Sequence, residues 1–346
     1  MRYGIIATRA AEKLALLLGK VPTPMVDAVL APMQTRTLMV AQRCGLLTRL
    51  GAGPASVSML ASELSLDEEC LGLVLRVLQV MEYAAVERGQ WRLSRQGQRF
   101  FGPRAALPCS AFLEHAYSQW TMMERLDDVL KTGRGVDFHE HQTPADWDAY
   151  QRAMLENARA FAWFVAEQVP LREGATECLD LAGSHGFVGA TLCRKHAGLR
   201  STVLDRREAL PQARELARLH GYEHLVRFEE GDVRELARTP PVDVALLCNI
   251  LHHFSAQESA DILARVRRSL RSGGSVAIFE IEAPTADAAP DAAGDGLALY
   301  FRISSTSACF RAQDYLTWLR ETGFVDLRVV RSLRLPSRVL VLGRVP

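Results

Sequence analysis

The chain has 346 residues, of which 48% are hydrophobic and 23% charged. That length gives a prior of about two domains, and the composition excludes wholesale disorder. With 41 Lys and Arg against 40 Asp and Glu, the net charge is +1, so no strong field draws the whole chain onto nucleic acid or an anionic membrane. Seven cysteines, at 44, 70, 109, 178, 193, 248 and 309, are an odd number with no CxxC pair. They read as reduced thiols, and a chain this long folds without disulfides. Arg9, Glu12 and Lys13 interrupt the first apolar stretch, which spoils it as a signal-peptide core. No apolar run approaches the length of a membrane helix. The expectation is a cytoplasmic protein without a membrane segment.

In chain order, Pro22, Pro24 and Pro32 punctuate the start, and Thr35 to Leu50 then shows helical apolar spacing. Helices follow at Ser56–Leu64 and Asp67–Met81, with Ser65 and Asp67 both suited to cap the second. Tyr83–Glu87 and Gln90–Leu93 form a hairpin around Arg88-Gly89. Two helices and a hairpin describe a winged helix-turn-helix. Residues 1–100 hold twelve Lys and Arg against eight Asp and Glu, and the second helix opens on Asp67-Glu68-Glu69. Carboxylates at that entry oppose phosphate contact, so packing or dimerisation is the expected role, not nucleic-acid binding.

Phe112–Lys131 and Trp147–Val169 read as two long amphipathic helices. From Glu177 the pattern alternates: Glu177–Leu181, Gly186–His196, Ser201–Leu204, Ala209–His220, Val226–Glu230, Val242–Cys248, Ala256–Leu270, Ser275–Ile281. Such alternation argues a parallel sheet with helices on both faces. Ala283–Gly296 reads as a surface loop, Gln313–Thr322 as a helix, and Val325–Ser332 with Val339–Gly343 as an antiparallel pair at one sheet edge.

Chemistry-bearing residues gather at the strand ends. Asp180-Leu181-Ala182-Gly183-Ser184-His185-Gly186 runs a buried strand into a small-residue turn and then a helix. Such a turn lets the backbone approach a ligand and offers unpaired N–H donors. Ala182 and Ser184 fit the dinucleotide GxGxxG pattern poorly. The second strand ends at Asp205, where a carboxylate can accept both ribose hydroxyls, with Arg206 beside it. The third ends in Gly231-Asp232-Val233, an acid and an apolar side chain for an adenine. The fourth ends in Cys248-Asn249 and leads into Ile250-Leu251-His252-His253-Phe254.

This ordered set resembles class I S-adenosylmethionine (SAM)-dependent methyltransferases of the caffeate- and hydroxyindole-type O-methyltransferase family, over nearly the whole chain. Asp180 to Gly186 resembles the family's Asp-Val-Gly-Gly-Gly-x-Gly motif. Val203-Leu204-Asp205, Gly231-Asp232-Val233 and Leu251-His252-His253-Phe254 follow in the family's order, and Phe279-Glu280-Ile281-Glu282-Ala283-Pro284 matches its fifth strand. The resemblance implies a Rossmann-like, seven-stranded α/β methyltransferase domain over 171–346. It also implies a winged-helix dimerisation domain over 1–105, a helical connector over 106–170, and a homodimer.

By the same resemblance, Asp180, Ala182, Gly183, Ser184 and Gly186 hold the methionine end of SAM, Asp205 and Arg206 the ribose, and Asp232 and Val233 the adenine, with Cys248 and Asn249 also at the cofactor. His252 falls on the family's catalytic base and Glu280 on its first supporting acid. The second supporting acid falls near Cys309, where there is no carboxylate, and the family's lysine before the base is Cys248 here. Met154, Asn157, His253, Tyr300 and Ser304 are the expected substrate contacts.

A phenol of pKa about 10 facing a histidine of about 6.5 makes full prior proton transfer uphill by ~5 kcal/mol. Proton removal must therefore accompany methyl transfer, and a carboxylate on the far ring nitrogen would fix the tautomer and stabilise the charged ring. The reading is O-methylation of a small, aromatic, specialised-metabolite hydroxyl. Transfer to carbon or nitrogen, use of SAM without methyl transfer, and a SAM-sensing DNA-binding regulator remain alternatives. Phe138-His139-Glu140-His141 lacks HExxH spacing and a nearby cysteine, so no metal is expected.

Overall fold

A computed structural model describes residues 4–139, 142–238, 240–285, 287 and 289–346. Its packing divides into two compact units, with the division between Gln119 and Trp120, inside the stretch read as a helical connector. No helix among the described residues is long and apolar enough to cross a membrane.

The first unit contains α1 (Ala10–Leu17), α2 (Thr23–Arg43), α3 (Leu46–Ala52), α4 (Val57–Leu64), α5 (Glu68–Val80), the hairpin β1 (Ala84–Glu87) and β2 (Gln90–Leu93), α6 (Arg95–Phe101) and α7 (Ser110–Ser118). Asp67 is the cap of α5, its carboxylate accepting the Cys70 N–H at 2.8 Å, whereas Ser65 ends α4 in the left-handed region at φ 55°. Leu71, Leu75 and Leu78 recur at helical spacing along α5 and are buried in the core of this unit. Arg88 and Gly89 both have positive φ, 49° and 75°, as a two-residue hairpin turn requires. The expected helix from Thr35 to Leu50 differs: α2 starts earlier, runs through Pro32 and ends before Gly45, whose φ of 80° separates it from α3.

The second unit opens with α8 (Trp120–Met123), α9 (Leu126–Thr132), α10 (Pro144–Arg159) and α11 (Ala162–Gln168). The two long helices expected here are both broken. Phe112–Lys131 becomes α7, α8 and α9, and the second breaks at Phe161, which leaves helical geometry at φ −128° to stack on Phe279 at 4.5 Å. That tertiary contact is invisible to helical periodicity.

The remainder alternates as expected: β3 (Glu177–Leu181), α12 (Phe187–Lys195), β4 (Arg200–Asp205), α13 (Leu210–Leu219), β5 (Val226–Glu230), β6 (Val242–Cys248), α14 (Ala256–Ser269), β7 (Leu270–Ile281), α15 (Ala292–Ser304), α16 (Ala312–Glu321), β8 (Val325–Ser332) and β9 (Leu335–Arg344). One sheet of seven strands has the order β5-β4-β3-β6-β7-β9-β8. The first five are parallel, while β9 runs antiparallel to β7 and β8. Strands β3 and β6 are almost wholly buried, as expected of a sheet covered by helices on both faces. Chain connections leave β3 for β4 on one side and reach β6 on the other, so the crevice for a ligand lies at their C-terminal ends. The expected loop at Ala283–Gly296 yields to α15 at Ala292, where the Asp291 carboxylate caps the Gly294 N–H at 3.0 Å.

Candidate active site

The turn after β3 alternates in hand. Ala182, Ser184 and Gly186 have φ of 49°, 53° and 72°, so the backbone takes left-handed geometry even where the family's glycines are replaced. A Cβ on Gly183 would lie 2.4 Å from Asp180 Cγ, so the turn wraps closely round that carboxylate. Asp180 is buried at the end of β3; its Oδ2 accepts the Gly189 N–H at 3.1 Å, while Oδ1 has no partner among the described residues. Burial pushes the Asp180 carboxyl up to about 7.

Asp205 closes β4. Its Oδ2 accepts the Ser184 N–H at 2.8 Å and its Oδ1 the Arg206 N–H at 2.7 Å. Each oxygen keeps a lone pair for a further donor. Burial pushes this carboxyl up to about 6 against the pull of those two N–H groups. Asp232 is held by Arg234, with Nη2 to Oδ2 at 2.6 Å and the Arg234 N–H to Oδ1 at 2.8 Å, and the guanidinium bond holds its carboxyl below the usual range.

Two cavities share the walls formed by Tyr150, Ala182, Ser184 and Asn249. The larger, about 230 Å³, collects Asp205, Arg206, Asp232 and Val233 from the strand ends, Asn249 and His253 from beyond β6, and His139, Trp147 and Tyr150. The smaller, about 60 Å³, holds Asp180, Gly183, Cys248, Met154 and Asn157. Burial raises the Cys248 thiol well above its ordinary range, so it stays neutral.

His252 lies in a short turn after β6. The N–H groups of Ile250 and Leu251 both donate to Glu280 Oε1 at 2.7 Å, and His252 Nδ1 meets Glu280 Oε2 at 2.8 Å. An ionised carboxylate only accepts, so Nδ1 carries the proton and Nε2 keeps its lone pair. Both residues are buried, His252 at 2% exposure and Glu280 at 0%. The His252 ring centroid lies 4.0 Å from that of Phe301 and 4.3 Å from that of His253, tilted against both. His253 lines the larger cavity, and His252 does not. Burial pulls His253 well below the usual histidine range and His139 down to about 4, so both rings are neutral.

The structure brings together Asp180, Ala182, Gly183, Ser184, Asp205, Arg206, Asp232, Val233, Cys248 and Asn249 around these cavities; Gly186 opens α12 with φ of 72°. The substrate expectations separate. Met154 and Asn157 face the smaller cavity with Asp180, not a wall shared with His252. Tyr300 and Ser304 line neither cavity: Tyr300 packs against Met122, Val129 and Ile303, and Ser304 is buried. Sequence reading passed over Trp147, Tyr150 and Gln151, although with Met154 they recur at the spacing of one helical face. Gln151 accepts from Ser184 Oγ at 2.5 Å and ties α10 to the turn. Cys309 is 9% exposed, and burial with nearby Glu280 pushes its thiol up to about 12. No group of three His, Cys, Asp or Glu among the described residues could hold a metal; Glu140 and His141 lie outside those residues.

An unpartnered buried carboxylate oxygen, a second carboxylate with spare lone pairs and a closely folded turn suit a nucleoside carrying an amino-acid tail. Fold and site define the class of SAM-dependent methyltransferases. Residues 121–325 match the O-methyltransferase domain family, and the chain belongs to it. It is similar to the N,N-dimethyltransferase OxyT of Streptomyces rimosus, 24% identical over 84% of this chain and 87% of that protein. It is also similar to 3-hydroxy-5-methyl-1-naphthoate 3-O-methyltransferase of Streptomyces sahachiroi, 24% identical over 90% and 91%. Its fold matches human N-acetylserotonin methyltransferase in complex with SAM, at a TM-score of 0.82 and 16% identity over 99% of both chains. The protein is a SAM-dependent methyltransferase.

Proposed function

We propose that the enzyme methylates a hydroxyl of a small aromatic compound of specialised metabolism, with His252 as general base supported by Glu280. The observation carrying this reading is the buried contact from His252 Nδ1 to Glu280 Oε2 at 2.8 Å, which leaves Nε2 as the proton acceptor. In this reading Asp180 Oδ1 takes the ammonium of SAM, Asp205 its ribose hydroxyls, and Val233 with Asp232 its adenine. When bound, SAM supplies a methyl group already activated on a sulfonium. The protein then aligns the nucleophile, which alone is worth ~7–11 kcal/mol. His252 Nε2 takes the hydroxyl proton as the oxygen gains the methyl, and Glu280 stabilises the resulting imidazolium. The naphthoate 3-O-methyltransferase named above supports oxygen as the acceptor.

His252→Ala is expected to lower kcat by ~10²–10⁴-fold while S-adenosylhomocysteine still binds, because His252 lines neither cavity. An unchanged rate would remove the general-base role.

A second reading, transfer to nitrogen or carbon without a base, is favoured by the covering of His252 by Phe301 and by Cys309 where the family's second acid falls. Relatives include the N,N-dimethyltransferase and a bacteriochlorophyllide d C-20 methyltransferase.

The first unit is read as the dimerisation unit: α1 and α2 expose Leu14, Leu17, Met25, Val29, Leu30 and Met33, apolar surface suited to a second copy. Sedimentation equilibrium giving the monomer mass at micromolar concentration would exclude that. The same reading places the enzyme in the cytoplasm.

A further inference from the structure

The last strand reaches the His252–Glu280 pair from behind. In the antiparallel pairing of β9 with β7, Arg338 stands opposite Ile281 and Val339 opposite Glu280. The Arg338 guanidinium lies 5.8 Å from the Phe279 ring centroid and donates through Nη1 to Asn249 Oδ1 at 2.9 Å. Arginine has only donors, so the oxygen of the Asn249 amide must face it.

Asn249 is where the chain turns off β6. Its N–H donates to the Phe279 carbonyl at 2.8 Å, and its φ of 55° is left-handed. Asparagine enters that region more readily than most residues when its short amide is held by a local bond, and here the amide oxygen is held by Arg338. The turn aims two successive N–H groups, from Ile250 and Leu251, at the single oxygen Glu280 Oε1. With Oε1 pinned, Oε2 is the oxygen left for His252 Nδ1. Burial pulls the Arg338 guanidinium below its ordinary range, and the Glu280 carboxylate opposes that by favouring the charged form. A cation therefore stands behind the one acid present where the family has two.

We propose that Arg338 is a positioning residue for the His252–Glu280 pair: by holding the Asn249 amide it fixes the left-handed turn that pins Glu280 Oε1, and so sets the His252 tautomer. This rests on the reading of His252 as general base, and the test separates the two. The test is NMR of the full-length protein with S-adenosylhomocysteine bound, following amide exchange at Ile250 and Leu251 and the His252 Nδ1–H resonance.

Arg338→Met is expected to speed exchange at those two amides by roughly 10-fold or more, the scale of a lost charge-assisted bond, and to broaden the Nδ1–H signal. Arg338→Lys is expected to restore part of both, and Asn249→Ala to reproduce the Met variant, with no further change in the double variant. Wild-type exchange and an unshifted Nδ1–H signal in Arg338→Met would overturn the proposal, as would acceleration spread equally over the sheet. Should Arg338→Met fail to fold, Asn249→Ala decides by the same two readings. If His252→Ala leaves turnover unchanged while these exchange effects appear, the general-base reading fails and the positioning stands.

Discussion

Replacing Glu280 by glutamine tests the pair at its centre. The amide keeps an oxygen for the Ile250 and Leu251 N–H groups, now at 2.7 Å from Oε1, but its NH2 then faces His252 Nδ1, 2.8 Å from the present Oε2. Two donors in contact force either the other imidazole tautomer, with the proton on Nε2, or a rotated amide that strands two backbone N–H groups. The first removes the lone pair that accepts the substrate proton; the second costs about 1–3 kcal/mol for each buried donor left unpaired. Loss of the carboxylate also withdraws a charge-assisted bond to the imidazolium worth ~1.5–3 kcal/mol, or roughly 10–150-fold in rate at 1.36 kcal/mol per factor of ten. With the tautomer effect added, kcat is expected to fall by ~10²–10⁴-fold, the range of a removed general base. Glu280 lines neither cavity, so affinity for S-adenosylhomocysteine should hold within about threefold, ~0.65 kcal/mol on the same scale. The assay is methyl transfer to a hydroxylated aromatic acceptor found by screening, with calorimetry for the cofactor product. Turnover within about threefold of wild type, on the ~0.65 kcal/mol scale, would refute the reasoning.

Asp205→Ala is expected to weaken S-adenosylhomocysteine binding by ~10²-fold, from two charge-assisted ribose bonds of which part is recovered by water; unchanged affinity would move the ribose elsewhere. Asp205 and Asp180 are pushed up to about 6 and about 7 by burial, and the ligand binds their carboxylate forms. Affinity is therefore expected to be full above pH 8 and to decline as pH falls through 7 and then 6, and a flat calorimetric profile across that range would contradict these assignments. His185 is pulled down to about 4 by burial, so its folded value lies below its unfolded value. Its contribution is present above pH 6.5 and lost as pH falls through about 4, and His185→Gln should flatten the dependence by up to ~2 kcal/mol between urea unfolding at pH 7 and at pH 5. Ala182→Gly relieves left-handed strain at φ 49° and is expected to raise stability by up to ~1 kcal/mol after the entropy of the unfolded glycine is counted. A loss above that in thermal unfolding would show the methyl to be needed for packing.

Much of the site was legible because ligand chemistry in an open α/β sheet collects at strand ends, and strand ends are visible as apolar runs that stop at Asp205 or Asn249. The pair of His252 and Glu280 could be named but not joined. Their contact depends on the register that sets Cys248 beside Phe279 and on a left-handed Asn249, neither of which leaves a mark in composition. Helix breaks were lost for the same reason: Phe161 stops a helix by stacking on a strand over a hundred residues away in sequence. Tyr300 and Ser304 line neither cavity, and the stretch before them, read as a loop up to Gly296, is already helical from Ala292. Arg338 carried no signal at all; only the return of the last strand against β7 brings it to Asn249.

The most direct measurement of the central claim is single-turnover transfer from methyl-labelled SAM to a panel of hydroxylated aromatics, with NMR locating the labelled methyl. Base-assisted O-methylation expects the label on a phenolic oxygen, with the rate falling as the acceptor hydroxyl becomes less acidic. Label on nitrogen or carbon, from the same panel or its amino counterparts, would contradict the role given to His252 and Glu280.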